Sequence, residues 1–380
     1  MGEAVVIGAG CIGRGFVGPL FSAAGWHVTF LDIDAPLVAA LARDRSYVQV
    51  QYETCGAVRA DVGPVSAIDN GVNPDAAVTA LVAADVAATA VGGSQLPEIA
   101  PLLAEAARQR VRLGRPVLNV LLCENVHGAA TVMRSLLGDD DLGLIETSID
   151  RAIPLMDPAV RAVDPTLIHA DPYRPLLYDV AAVRGDGFDV PGIVGDPSVP
   201  FAFFGERKLY VHNLGHAMTA YLGELVGVGL VSDAIAIPAV RRVVRGAMVE
   251  SATALSRRYG QPLEPILDLV DDLLGRFADA TIPDTVERVG RDPIRKTAPG
   301  DRLVGAYELA LAEHVPSPHL SLAVALGADA LRRHEGWSPE RVARHLGLAG
   351  LTPDQADLLA SQIALLAGGV DARDLEKGMS

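Results

Sequence analysis

A doubly wound, mostly parallel α/β domain followed by an all-α domain is predicted here by three observations. From residue 4 to about 195, short β-branched runs alternate with Ala-rich helical stretches, the pattern of a parallel sheet covered by helices on both faces. After a break at Gly192, Gly195, Asp196, Pro197 and Pro200 the apolar period becomes helical and stays so. The 380 residues, at roughly 150 per domain, favour two domains, expected at 1–196 and 197–380.

In the first domain, strands are expected at Ala4–Ile7, His27–Leu31, Val86–Val91, Val117–Leu122 and Leu144–Ile149. Leu177–Val180 and Gly185–Phe188 read as short strands and a turn that extend the sheet. In the second domain the helices are bracketed by stops. Ala239–Tyr259 ends at Gly260, Pro262–Ala278 follows, Pro318–Glu335 ends at Gly336, and Pro353–Ala367 ends at Gly368 and Gly369, glycine being the residue that turns left-handed past a helix end. Pro19 breaks the local rule: it stands inside the expected first helix, where a proline costs on the order of 3 kcal/mol, and a kink is expected there.

Composition narrows the function. Half the residues are hydrophobic but only 5% are aromatic, which suits packed helices and buried parallel strands rather than an all-β chain. The 32 Lys and Arg against 47 Asp and Glu give a net charge of −15, which repels phosphate backbones and anionic lipid, so neither nucleic acid nor membrane is expected as a partner. Cys11, Cys55 and Cys123 are an odd, widely spaced set without a C-x-x-C, so no disulfide framework or zinc knuckle is expected and a reducing cytoplasm fits. Met1 runs straight into Ala4–Ile7, without a basic and then apolar lead-in, so secretion is not expected. The most apolar stretch, Ala76 to Val91, is interrupted by Thr79, Asp85 and Thr89 and falls short of the roughly 20 residues of a membrane span. A monomer or weak homo-oligomer is expected.

Gly8-Ala9-Gly10-Cys11-Ile12-Gly13 is a G-x-G-x-x-G placed directly after a strand and opening a helix. Glycines there allow a tight turn and bring backbone N–H groups to a pyrophosphate at the helix N-terminus. Asp32 follows at the end of the second strand, where a carboxylate can accept from ribose hydroxyls. The pair predicts a Rossmann domain whose candidate cofactor-binding residues are Gly8, Gly10, Cys11, Ile12, Gly13, Arg14 and Asp32. Asp32-Ile33-Asp34 would repel a 2′-phosphate and no Arg or Lys appears until Arg43, so NAD is expected rather than NADP.

The helical stretch Glu206 to His216 holds the most informative spacing of the second half. At about 100° per residue Asn213 lies about 140° from Lys208 and His216 about 80° from it, so one face carries Lys208, Asn213 and His216. This K-x4-N-x2-H arrangement resembles the signature of the polyol-specific long-chain dehydrogenases. The resemblance extends to Gly8–Gly15, Cys123-Glu124-Asn125, Asp150-Arg151 with Pro154, Ala220–Gly223, and Arg288–Pro293 through Arg295-Lys296 to Asp301–Leu303. It implies a metal-independent oxidation of a secondary alcohol, with Lys208 as the general base, Asn125 and Asn213 as donors to the substrate oxygen and His216 orienting a neighbouring hydroxyl. Such a base needs a pKa well below the reference of about 10.4, which burial and neighbouring cations, Arg207 among them, would favour.

Each residue has a plainer reading: Asn125 as the N-cap of a helix over Val126–Leu137, Lys208 as a snorkelling surface lysine, and His212 with His216 as an i, i+4 metal pair. Lys208 on the same face opposes a divalent ion, and no third ligand is identifiable. His212 itself stands where the family's polyol-phosphate enzymes would be expected to carry an apolar residue. Arg288, Arg291, Arg295 and Lys296 crowd a segment broken by Gly290, Pro293, Pro299 and Gly300. They could clamp a phosphoryl group, or form a solvated run paired with Glu287, Asp292 and Asp301. Similarity around Arg291 and Arg295 favours the clamp, with Lys296. The resemblance thus implies an NAD-dependent enzyme interconverting mannitol 1-phosphate and fructose 6-phosphate. The alternatives are an unphosphorylated polyol, a hexuronate, another polyol or cyclitol phosphate, or an NAD-binding protein without catalysis.

Overall fold

The computed structural model describes residues 2–53, 56–126, 128–138, 141–149, 153, 156, 158–170, 175–280, 284–348 and 351–369. Cys55, Asp150, Arg151 and Pro154 lie outside the described residues. The chain divides into two units, Met1–Phe201 and Ala202–Ser380. No helix among the described residues is long and apolar enough to cross a membrane.

The strands of the first unit are β1 (Glu3–Ile7), β2 (His27–Asp32), β3 (Tyr47–Glu53), β4 (Gly56–Val62), β5 (Val65–Asp69), β6 (Val86–Thr89), β7 (Leu118–Leu122), β8 (Leu142–Ser148), β9 (Ile168–Ala170), β10 (Leu176–Tyr178) and β11 (Ile193–Val194). Eight of them form one sheet in the order β11-β10-β8-β7-β6-β1-β2-β5. It is parallel except where β10 runs against β8. Alternate side chains feed two cores, as a sheet covered on both faces requires. Val6, Val28, Phe30, Leu121 and Ile145 join Phe16, Leu20 and Leu41 on one side. Val5, Ile7, Leu31, Val120, Leu122 and Leu144 join Leu81 and Leu103 on the other.

Two features were not expected. The parallel strand β5 edges the sheet beside β2, and a second sheet of order β4-β3-β9 joins a hairpin to a strand more than a hundred residues away. The hairpin's Tyr47-Val-Gln-Val-Gln-Tyr-Glu alternates apolar and polar residues, unlike the apolar runs of the large sheet, and its Gln49 is fully buried. Around Pro19 the first helix is not plainly α-helical. It runs as a wide π turn over Gly13–Val17, where the N–H of Gly18 reaches the carbonyl of Gly13, and then restarts as Gly18–Ala23 with Pro19 in its first turn, where a missing N–H costs little.

In the second unit Pro238–Tyr259, Leu263–Phe277, Pro318–Glu335 and Pro353–Ala367 are helices. Gly260 and Gly336 are left-handed at the ends of the first and third, as their glycines require. Pro318–Glu335 is buried at every position from Leu320 to Leu331, the mark of a helix at the centre of its bundle. Its one buried carboxylate, Asp329, pairs with Arg332 and Arg333.

Candidate active site

The glycine turn leaves β1 where the strand order reverses, with β2 on one side and β6 on the other, the place where doubly wound sheets open a crevice. The glycines act differently. Gly8 has φ +100°, and a Cβ there would stand 2.4 Å from the carbonyl oxygen of Ala90; at Gly13 a Cβ would stand 1.9 Å from the carbonyl oxygen of Gly8. At Gly10, which is exposed, a Cβ would meet nothing within 4 Å. Two glycines therefore close the turn on the sheet, and the third leaves bare backbone facing open space, as pyrophosphate approach requires.

Asp32 is tied to this turn. Its Oδ2 accepts from the Ala9 N–H at 2.6 Å, and its Oδ1 from those of Ile33 and Asp34 at 2.7 and 2.9 Å. A carboxylate offers about four acceptor positions, so capacity remains for a ribose hydroxyl. The structure also brings a cation close by: Arg161 pairs with Asp34 at 3.0 Å, a partner hidden by its distance along the chain.

Arg14 departs from the expected role. Its side chain is buried and turned away from the crevice, Nε donating to the Ala9 carbonyl at 2.5 Å and Nη1 to the carbonyl of Thr166. Burial holds its pKa below arginine's ordinary value. It braces the turn from behind. The π turn's own carbonyls are met from β3, where the Tyr47 hydroxyl donates to Arg14 O at 2.7 Å and the Gln49 amide to Gly15 O at 2.6 Å. The unexpected second sheet thus supports the cofactor turn.

Cys123, Glu124 and Asn125 follow β7. Burial pushes the Cys123 thiol up to about 12, which keeps it protonated. Glu124 is buried and accepts from the N–H groups of Val91 and Gly92 at 3.2 and 2.7 Å, pinning the loop after β6 beside the same crevice. Asn125 is exposed. The next helix begins only at Ala129 with Gly128 at its cap, so the capping alternative for Asn125 falls.

In the second unit, Phe201–Arg207 continues into a π-wound segment, Lys208–Asn213, and then into the α-helix Leu214–Val226. The α-helical angle expected between Lys208 and Asn213 therefore does not apply. With i→i+5 bonding, Asn213 stands one turn above Lys208, as i+4 does above i in an α-helix. Lys208, His212, Asn213 and His216 are all half-buried, while Tyr210, Val211, Leu214 and Gly215 between them are buried. The polar four form one partly open face. π turns of this kind concentrate at functional sites.

His216 is held on two sides. Its ring stacks on Phe277 at 5.2 Å and 13°, and its Nε2 lies 2.9 Å from Asp284 Oδ2. His212 lies against the same phenyl ring at 5.9 Å. Asp284 also accepts from Arg288 at 2.5 and 2.9 Å. Sequence reasoning missed it because no local spacing links it to His216. Burial alone would raise the Asp284 carboxyl, but its bonds to His216 and Arg288 hold it below the usual carboxylate range. Its stabilising contribution is then full above the unfolded value of about 3.9 and is lost as pH falls through the lowered folded value. Asp284→Asn is expected to cost about 1 kcal/mol at pH 7, with the difference from the parent closing as pH falls through the lowered folded value. Urea titrations at pH 7 and at successively lower pH measure it, and a loss that does not change with pH would refute the linkage. Among the described residues no three His, Cys, Asp or Glu side chains gather to hold a metal ion.

The cation-rich segment is more ordered than expected. It forms the short helices Val286–Gly290 and Pro293–Lys296. Arg291 is exposed and lies 3.6 Å from Glu287; Arg295 is exposed and bonds Asp292 at 2.8 Å. Arg302 takes Asp301. Lys296 points inward, contrary to its expected place in a clamp. It is buried and donates to the carbonyls of Val289 and Arg291, and burial, helped by Arg302 and Arg295, lowers its pKa to about 8. The turn of Pro293–Lys296 aims its side chain into the unit, so it secures the backbone that carries Arg291.

Comparisons with known proteins agree with this anatomy. Residues 2–186 match the mannitol dehydrogenase Rossmann domain, and residues 201–335 match the mannitol dehydrogenase C-terminal domain. A mannitol-1-phosphate 5-dehydrogenase of Brevibacillus brevis is 34% identical over 334 residues, covering 85% of this chain and 84% of the relative. Among solved structures, Pseudomonas fluorescens mannitol 2-dehydrogenase, in a ternary complex with NAD and D-mannitol, superposes with a TM-score of 0.68 at 16% identity, over 100% of this chain and 91% of that one. A D-sorbitol dehydrogenase in substrate-free form gives 0.68 at 15%, over 99% and 91%. With both units matched in order, the chain belongs to the mannitol dehydrogenase family.

Proposed function

We propose that the chain is an NAD-dependent dehydrogenase that interconverts mannitol 1-phosphate and fructose 6-phosphate. The observation that carries this reading is the partly open face of Lys208 and Asn213 on a π turn and His216 on the α-helix that continues it, with His216 fixed by Asp284. Bare backbone at Gly10 and the remaining acceptor capacity of Asp32 suit the pyrophosphate and ribose of NAD. When bound, NAD supplies the hydride acceptor. The chain's own residues manage the oxygen. Lys208 takes the hydroxyl proton, Asn125 and Asn213 donate to the oxygen as negative charge develops, and His216 orients the neighbouring hydroxyl.

Arg291 and Arg295 bind the phosphate in this reading. Their exposed ion pairs with Glu287 and Asp292 are worth about 0–1 kcal/mol each, so a doubly charged phosphoryl group can displace them. A second reading, an unphosphorylated polyol, gains support from those same pairs, which already compensate both charges. NADH consumption with fructose 6-phosphate and with fructose, side by side, separates the two. A strong preference for the phosphate is expected, with fructose turned over only at far higher concentration. Replacing Arg291 and Arg295 together by Ala should raise KM for fructose 6-phosphate at least about tenfold, whereas equal turnover of both sugars by the parent would select the second reading.

A further inference from the structure

We propose that His345 is a positioning residue for substrate binding: from the helix Pro339–Leu346 its Nε2 holds the turn that carries Arg291 and Arg295. The inference rests on the reading of that turn as the phosphate-binding element. His345 Nε2 lies 2.9 Å from the Ile294 carbonyl oxygen and 3.0 Å from Thr297 Oγ1. The Ile294 carbonyl can only accept, and the Thr297 hydroxyl already donates to the Pro293 carbonyl at 2.6 Å. Both contacts therefore require the imidazole proton on Nε2. One N–H closes on two groups of the same turn.

The far side of the turn is wedged. Thr297 is fully buried, and a Cβ at Gly327, on the central helix Pro318–Glu335, would stand 2.4 Å from its methyl carbon. The imidazole itself is set edge-on to Trp337 at 5.1 Å, over whose ring the Arg341 guanidinium lies at 4.1 Å. Buried packing thus locates Thr297, and His345 fixes the carbonyl of Ile294, the residue directly before Arg295. His345 lies past residue 335, where the match to the family's C-terminal domain ends. The helix beyond that point would then tune a loop within the matched part.

Steady-state kinetics of the full chain with fructose 6-phosphate and with fructose, at saturating NADH, test this on the parent, His345→Ala and His345→Gln. Glutamine can place an amide N–H where Nε2–H stands. His345→Ala is expected to raise KM for fructose 6-phosphate about tenfold with kcat within about twofold and the KM for fructose unmoved, and His345→Gln to return KM to within about threefold of the parent. A misfolded fraction lowers kcat for both sugars and leaves KM alone, so the KM ratio reads the folded molecules. A phosphate-selective parent whose KM is insensitive to His345→Ala, or rises alike for both sugars, or is not restored by Gln, would overturn the role of His345. A parent that does not prefer the phosphate overturns the reading of the turn, and this inference with it.

Discussion

Lys208→Ala is expected to lower kcat by about a thousandfold, the middle of the range for removing a general base, while NAD binds as in the parent. The two readouts separate because Lys208 stands on the π turn of the second unit, and the glycine turn and Asp32 lie in the first. Rapid-mixing kinetics would report the lost turnover and NADH fluorescence titration the retained affinity. A small primary amine added to the variant should restore part of the rate, since only the proton acceptor is missing. Turnover within tenfold of the parent would remove Lys208 from its assigned role. A comparable rate loss accompanied by lost NAD affinity would point instead to disturbed packing.

Gly13→Ala and Gly10→Ala should both weaken NAD but differ in what they do to stability. At Gly13 the new methyl would stand 1.9 Å from the Gly8 carbonyl oxygen, a backbone atom that cannot swing aside, and the helix must move away from the turn. Overpacking of this kind costs about 1–3 kcal/mol, and the moved N–H groups should weaken NAD by at least about a hundredfold. At Gly10 the methyl meets no protein atom, so the melting temperature should hold while NAD still weakens. Thermal melts and NADH titrations of the two variants test the pair. Parent-like NAD affinity in Gly10→Ala would displace the pyrophosphate from that backbone.

Much of this was legible in the chain because its signals are local. The buried strands are short apolar runs, and the long helices end at glycines that turn left-handed, so Pro318–Glu335 and Pro353–Ala367 were bounded to the residue. What escaped depends on contacts between distant segments. Asp284 meets His216, Arg161 meets Asp34 and Thr166 meets Arg14 only once the chain has folded. Lys296 read as an exposed cation because composition does not say which way a short helix turns. The π winding at Lys208–Asn213 has no local signature that would distinguish it from an α turn, so the angle expected between those two residues was not the one the fold adopts. Beyond the family-matched segment, the contact from His345 to Ile294 follows from the fold alone.

The bracing of the glycine turn orders events in time. Residues 8–15 are synthesised well before their support: the carbonyl that receives the Arg14 guanidinium belongs to Thr166, 152 residues further on, and β3, which supports the π turn, pairs with β9 at Ile168–Ala170. Closing a loop of that span must precede the contacts that stabilise it. The nucleotide turn therefore emerges long before it can reach its working shape. A nascent chain arrested before Thr166 would carry the complete glycine signature and lack the brace behind it, so acquisition of nucleotide affinity during synthesis would time the docking of β9.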